Sequence, residues 1–402
     1  MKYVIVGGNI AGVTAATELR KLDPESQVTI YTKESYPYYY RPKLWSIIAG
    51  EAEPEDTYFH TAEWYAEQGI DLQLNTTVVK LDADAKTITL ESGEDVPYDK
   101  LLIAAGSHCF IPPVEGADLP NVFSLRNMDD TKAIIESADH SKEAVLIGGG
   151  LLGLETAKAL TDRGLHVSVI EFFPSLLPRQ LDPEGGAVLS AHLEGFGMTL
   201  LTDEVTETIS QNERGLHVSL KSGKQLDADM VIFSTGIRSN CGIWEDAGVE
   251  DNRGLLVNEY METNLPDVYA AGDVAEFNGI VYGLVAVARE QAQAAAANMV
   301  ESKSKVYTGT MPSTRLKIAG LAFNALGEST LEGDGVTVLR VSEPENGRYE
   351  RLAIKDGKVL GAIIFGDNRR SMAFKKLITN GTDVSGKEDQ LLDVGFNLKS
   401  LK

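Results

Sequence analysis

Cysteine is nearly absent: the 402 residues include only two, Cys109 and Cys241, far apart and outside any C-x-x-C spacing. That excludes a disulfide scaffold and a zinc knuckle, and both are expected to be buried small apolar residues. Basic charge is scarce as well. With 37 Lys and Arg against 59 Asp and Glu, the formal net charge is -22, which makes nucleic acid and anionic membrane poor partners. Long apolar runs are missing too: the longest weakly polar stretch, Val4 to Ala16, contains Asn9, Thr14 and three glycines, and it falls short of the roughly 20 residues a membrane helix needs. Met1-Lys2 leads straight into an apolar strand pattern with no h-region or cleavage site, so a cytoplasmic protein is expected. The six histidines show no H-x3-H or H-E-x-x-H spacing, and no metal site is expected.

Apolar residues, by contrast, make up 43% of the chain, enough for at least two cores of ordinary domain size. Two stretches resemble each other. YVIVGGNIAG from Tyr3 to Gly12 precedes a helical pattern from Val13 to Lys21, and AVLIGGGLLG from Ala144 to Gly153 precedes one from Leu154 to Arg163. A β-branched strand follows each, Gln27 to Tyr31 and His166 to Ile170, and each ends near an acidic residue, Glu34 and Glu171. The chain therefore carries two βαβ nucleotide-binding openings.

Gly148, Gly150 and Gly153 complete G-x-G-x-x-G. One glycine allows the tight turn, one lets a pyrophosphate approach bare backbone, and one lets helix pack closely on strand; the phosphate then meets the unpaired N–H groups of the helix start. Glu171 follows Gly153 by 18 residues, a spacing suited to accepting from a ribose 2′-OH, and no Arg stands in Phe172 to Ser175. That favours NADH over NADPH. In the first opening Gly7 and Gly12 are kept, but Asn9 holds the middle place, and Glu34 follows Gly12 by 22 residues. Asn tolerates positive φ better than most residues, and Gly8 is expected to supply some of the lost freedom.

The organisation expected is a first domain over residues 1–110 and 237–300, interrupted by a second over 111–236, with a small α+β domain over 305–402. Leu101 to Ser107 and Val231 to Ile237 mark the joins, each a buried strand running into Gly. Residues 301–402 hold 16 basic against 13 acidic residues, whereas residues 1–300 hold 21 against 46. Arg369-Arg370 and Lys375-Lys376 are the candidates for a landing patch for an acidic partner.

A third element makes the reading specific. Thr263, Ala270, Gly272 and Asp273 form a T-x6-A-x-G-D string, which resembles the two-dinucleotide flavoproteins related to glutathione reductase, the FAD-dependent pyridine nucleotide-disulfide oxidoreductases. PYYYRPKL from Pro37 to Leu44, LLPRQLD from Leu176 to Asp182, and STRLKIAG from Ser313 to Gly320 resemble the NADH:rubredoxin oxidoreductase branch. The resemblance implies two nested Rossmann-like α/β domains plus the small C-terminal domain, FAD on the first opening and NADH on the second. Asp273 would accept from the ribityl chain. The cofactor-binding set it implies is Gly7, Asn9, Ile10, Ala11, Gly12, Glu34, Ser35, Arg41, Lys43, Val79, Ala105, Gly106, Arg126, Asp273, Leu284, Gly148, Gly150, Leu151, Leu152, Gly153, Glu171 and Gly236. Relatives often have Trp where Leu284 stands. The helix from Val285 to Met299 would set its N-terminus under the flavin pyrimidine, its Ala stripe serving as core.

Tyr40 to Ser46 contains no thiol, so the thiolate relay that relatives place beside the flavin is missing. Catalysis is expected to rest on a Lys43–Glu155 pair. The partner implied is a small acidic electron-transfer protein such as rubredoxin, with the chain a monomer or homodimer. Rival readings are a ferredoxin- or nitrite-reductase-type component, an NADH oxidase, and an NADH-sensing flavin-bearing interaction protein.

Overall fold

Strand β1 (Lys2–Val6) buries four of its five residues because it is the middle strand of a parallel sheet, where both faces are covered. The computed structural model describes residues 1–213, 215–343, 347–366 and 368–401. The chain forms two units: Met1–Leu44 with Ala52–Phe110 and Ile237–Thr310, and Trp45–Glu51 with Ile111–Gly236 and Met311–Lys402.

In the first unit, β1 pairs in parallel with β2 (Gln27–Tyr31), from Lys2↔Gln27 to Val6↔Tyr31, and on its other side with Lys100–Ile103. Val268–Ala270 and Ile70–Gln73 complete the sheet at its edges. Helix α1 (Ile10–Leu22) makes the crossover from β1 to β2 and buries Ala11, Gly12, Val13, Ala15, Ala16 and Leu19. It packs with the helix Val285–Val300 in one apolar cluster that includes Ala288, Ala292, Ala294, Ala295 and Ala296; small side chains on both helices allow the close approach. The expected Ala stripe is thus core.

The second unit repeats the plan. Strand β3 (Glu143–Ile147), helix α2 (Leu151–Asp162) and strand β4 (His166–Glu171) form the βαβ opening. The sheet runs Thr199–Thr202, β4, β3, Met230–Phe233, Val122–Ser124, all parallel. Each unit also carries a three-stranded antiparallel meander just before its Gly-ended strand, over Val78–Asp82, Thr87–Leu90 and Asp95–Pro97 in one and Thr206–Asn212, Gly215–Leu220 and Gln225–Ala228 in the other. Both crossover helices start three residues earlier than the apolar periodicity predicts, at Ile10 and Leu151. The third glycine of each turn lies inside the first helical turn, and periodicity cannot register a residue without a side chain.

The second unit also contains an antiparallel sheet built from β5 (Ser313–Ile318), β6 (Leu321–Gly327), β7 (Val336–Glu343), β8 (Arg348–Lys355) and β9 (Lys358–Phe365), in the order β5-β6-β9-β8-β7. Asp356 and Gly357, at φ 50° and 70°, make the tight β8–β9 hairpin turn. Helix α3 (Asn368–Asn380) covers the sheet, burying Arg370, Ser371, Phe374 and Leu377. That helical period corrects the landing patch. Arg370 is 7% exposed, donates through Nε and Nη2 to the Glu350 carboxylate and through Nη2 to the Leu391 carbonyl, and so offers no charge to a partner. Arg369, Lys375 and Lys376 lie exposed on the opposite side of the helix. The cysteines need correction too, since both are half-buried rather than buried: each sits at an element end, where packing is one-sided. Among the described residues no helix is long and apolar enough to cross a membrane, and no group of three or more His, Cys, Asp or Glu could hold a metal ion.

Candidate functional site

In the first unit the turn after β1 is closed by backbone. Gly7 has φ +118°, and a Cβ there would stand 2.1 Å from the Ala104 carbonyl oxygen; a Cβ on Gly12 would stand 1.9 Å from the Gly7 oxygen. Only glycine fits either place. The second unit reproduces this: Gly148 has φ +115° and a Cβ position 2.3 Å from the Ser234 oxygen, and Gly153 lies 2.3 Å from the Gly148 oxygen by the same measure. At Gly150 the nearest atom to a Cβ would be 4.0 Å away, so that glycine leaves open space above the turn. Neither α1 nor α2 has a side-chain cap bond or an acidic residue in its first turn, and their leading N–H groups are left for an anion.

Asn9 does not act as expected. Its φ is -94°, in the extended region, so the positive φ sits at Gly7 and neither Asn9 nor Gly8 supplies it. The Asn9 side chain joins a cluster instead: Nδ2 donates to Glu34 Oε1 at 3.4 Å, and Oδ1 accepts from Arg41 Nε at 3.0 Å. Arg41 Nη2 pairs with Glu34 Oε1, and the Tyr39 hydroxyl donates to Glu34 Oε2 at 2.5 Å. Three predicted residues, Asn9, Glu34 and Arg41, thus meet at the mouth of the first turn, with the Arg41 charge facing a carboxylate. Lys43 follows on an exposed 3-10 turn. Ser35 Oγ donates to Asn75 at 2.6 Å, and Val79 is exposed in the meander.

Asp273 is held from both sides: Ser107 Oγ donates to its Oδ2 at 2.9 Å, and Ser239 Oγ donates to its carbonyl at 2.7 Å. Asn240 Nδ2 donates to the Ala105 carbonyl at 2.7 Å, beside Gly106 at φ +68°. Leu284 caps the helix Val285–Val300 and packs on the core. Sequence reasoning missed Gln291 on that helix. Its Oε1 accepts from Gly272 N at 2.9 Å, and its Nε2 is buried with no partner among the described residues. Gly272 approaches Ala11 on α1, where a Cβ would come within 3.0 Å. A buried donor without an acceptor is costly, and one beside α1 fits a site shaped for a phosphate-bearing group. No spacing rule points to it.

In the second unit Glu171 is 7% exposed; Oε2 accepts from Gly149 N at 2.6 Å and Oε1 from Phe173 N at 2.9 Å, which leaves further lone pairs for a ligand hydroxyl. By strand register the first-unit counterpart of Glu171 is Thr32, with Glu34 two residues further on. Leu151 and Leu152 are half-buried in the first turn of α2, and Gly236 at φ +103° has no atom within 4 Å of a Cβ. Arg126 lies in this unit, its N–H donating to Asp130 at 2.7 Å. Burial alone pushes the Glu155 carboxyl up to about 8. In the first unit, burial and then the nearby Asp251 and Glu245 carboxylates push the Cys241 thiol up to about 11, which keeps it from being a ready thiolate.

Two glycine turns of one design, each at the end of a parallel strand and the start of a helix, make two candidate dinucleotide-binding turns. Residues 1–298 match the family described as pyridine nucleotide-disulphide oxidoreductase, and residues 312–382 match the rubredoxin NAD+ reductase C-terminal domain. The chain belongs to the pyridine nucleotide-disulphide oxidoreductase family, enzymes that work with FAD and NADH. It is 37% identical over 385 residues to a nitrite reductase [NAD(P)H] of Bacillus subtilis, covering 96% of this chain and 48% of that one. It is 32% identical over 378 residues to the NADH-rubredoxin oxidoreductase of Clostridium acetobutylicum, covering 94% of each. The crystal structure of NADH:rubredoxin oxidoreductase from that organism superposes with a TM-score of 0.81 at 29% identity, over 97% of this chain and 98% of that one. The chain spans about half the length of the two Bacillus subtilis proteins it matches, the nitrite reductase and an assimilatory nitrate reductase electron transfer subunit.

Proposed function

We propose that this chain is an NADH-dependent FAD reductase that passes electrons singly to a small iron protein, with rubredoxin the favoured acceptor. The observation that carries the reading is the pair of uncapped glycine turns, each closed by a backbone carbonyl. On α1, Gly7, Asn9, Ile10, Ala11 and Gly12 would take the FAD pyrophosphate, with the orphaned Gln291 donor beside them. Glu34, steadied by Tyr39 and Arg41, would accept from a ribose, and Asp273, fixed by Ser107 and Ser239, from the ribityl hydroxyls. Ser35, Val79, Ala105, Gly106 and Leu284 would complete the surroundings within the first unit, while Arg126, also proposed to bind cofactor, belongs to the second unit. On α2, Gly148, Gly150, Leu151, Leu152 and Gly153 would hold the NADH pyrophosphate, Glu171 would accept from its 2′-OH, and Gly236 would leave bare backbone for the nicotinamide. Bound FAD supplies hydride acceptance and single-electron release; the chain supplies orientation and electrostatics. Lys43 and Glu155 are the proposed catalytic side chains. Burial favours the neutral form of the Glu155 carboxyl.

The rubredoxin assignment is supported by the similarity of residues 312–382 to that C-terminal domain and by the more basic balance of residues 301–402. A stopped-flow screen tests it: NADH-reduced protein is mixed with rubredoxin, a ferredoxin and oxygen at one ionic strength. Rubredoxin should reoxidise the flavin fastest; a rate no higher than with an arbitrary iron-sulfur protein removes the assignment. The identity to longer nitrite reductases favours a second reading, an electron-donating module for a nitrite-reducing partner, which the same screen separates. Protein that stays colourless when supplied with flavin would end both.

A further inference from the structure

We propose that the C-terminal sheet clamps the NADH site: Tyr349, Arg351 and Ser329 act as positioning residues, holding through Asp182 and Gln180 the loop from Phe172 to Leu181 that rests on the Gly148–Gly153 turn. The inference rests on reading that turn as the NADH site, and every residue in it belongs to the second unit.

The loop leaves β4 at Glu171, whose carboxylate ties Gly149 N and Phe173 N together at 2.6 and 2.9 Å. Its apolar waist lies on the turn itself, because a Cβ on Gly149 would come within 2.6 Å of Leu176 Cδ2. Leu176, Leu177 and Leu181 are buried, while Phe172 and Phe173, 63% and 47% exposed, stand in edge-to-face contact beside Glu171. Leu177 has φ +52°, a conformation that a leucine holds only when its surroundings impose it.

The far end of the loop, at Gln180 and Asp182, is held by the C-terminal sheet. The loop ends at Asp182, 4% exposed, which caps the helix Pro183–Gly195 by accepting from Gly185 N at 3.2 Å. The same carboxylate accepts from the Tyr349 hydroxyl at 2.6 Å and from Arg340 Nε at 3.0 Å, and faces Arg351 Nε at 3.4 Å. Ser329 Oγ donates to the Gln180 carbonyl at 2.9 Å, and Arg351 Nη1 donates to the Ser329 carbonyl. Tyr349 and Arg351 are wholly buried on β8. Burial and the facing Asp182 carboxylate push the Tyr349 phenol up, so it remains a donor. A buried carboxylate hydrogen-bonded by a phenol and one guanidinium, with a second guanidinium at ion-pair distance, cannot move without leaving charge unpaired, and the loop end is pinned accordingly. Its free end, the aromatic pair beside Glu171, is where the adenosine half of NADH would lie.

The test uses the full FAD-loaded chain with ferricyanide as acceptor, so that docking of a protein partner plays no part, and NAD+ titration followed by flavin absorbance as a readout besides turnover. Tyr349→Phe should raise the KM for NADH and weaken NAD+ binding roughly fivefold, with kcat unchanged. Ser329→Ala, a smaller change kept in case Tyr349→Phe does not fold, should move both in the same direction by about twofold. Unchanged KM and NAD+ affinity in a variant whose melting temperature falls would mean a structural role only and overturn the clamp, as would a loss confined to kcat. Parent protein that binds neither NADH nor NAD+ overturns the reading of the turn instead.

Discussion

Replacing Glu155 by Gln should be almost silent in acid and increasingly stabilising as pH rises. Burial raises this carboxyl from 4.5 to about 8, so the native state keeps a proton that the unfolded chain has already released. Within that window the native state binds more protons than the unfolded state, and stability falls as pH rises. The group's favourable contribution is therefore fully present below 4.5 and lost by about 8. Each pH unit is worth up to about 1.4 kcal/mol, and with water reaching a partly exposed side chain the total is on the order of 2 to 4 kcal/mol. Gln matches the neutral acid in size and does not titrate. On FAD-loaded protein scanned from about pH 5 to about pH 9, the melting temperature of Glu155→Gln relative to the parent should climb by several degrees. A flat difference would refute the argument, since the carboxyl would then have ordinary acidity. A difference running the opposite way would place a cation against it.

Three further outcomes follow from the geometry. Glu171→Ala with Phe172→Arg removes the carboxylate proposed to accept from the ribose 2′-OH and adds a cation, and should raise the NADPH-to-NADH ratio of kcat/KM at least about tenfold; an unchanged ratio would place the ribose elsewhere. Gly7→Ala puts a methyl 2.1 Å from the Ala104 oxygen at φ +118°, so the purified variant should carry little flavin at 450 nm, and full flavin content would dismiss the first turn as the FAD cradle. Cys109→Ser with Cys241→Ser should leave NADH-driven acceptor reduction within about twofold of the parent, and iodoacetamide near neutral pH should label Cys241, pushed up to about 11, only slowly; a large loss of turnover would reinstate sulfur chemistry.

The glycine turns and the parallel sheets they end were legible in the residues themselves, and the two-dinucleotide class in the motifs that resemble that family. Each glycine answers a local demand, a positive φ at Gly7 and Gly148 or a carbonyl against the Cα at Gly12 and Gly153, and a local demand leaves its mark at one position in the chain. Which charges face outward was not legible. Arg370 and Lys375 read alike in sequence, yet α3 turns one onto Glu350 and the other to solvent. Asn9 met Glu34 and Arg41, Gln291 met Gly272, and Asp182 met Tyr349 across 167 residues, because those partners are chosen by strand order and burial. The chain's own letters thus determined where the two glycine turns fall. Only the folded structure decided which side chains are spent holding the cradles still and which are left to do chemistry, since hydrogen-bond partners and desolvation are properties of neighbours in space.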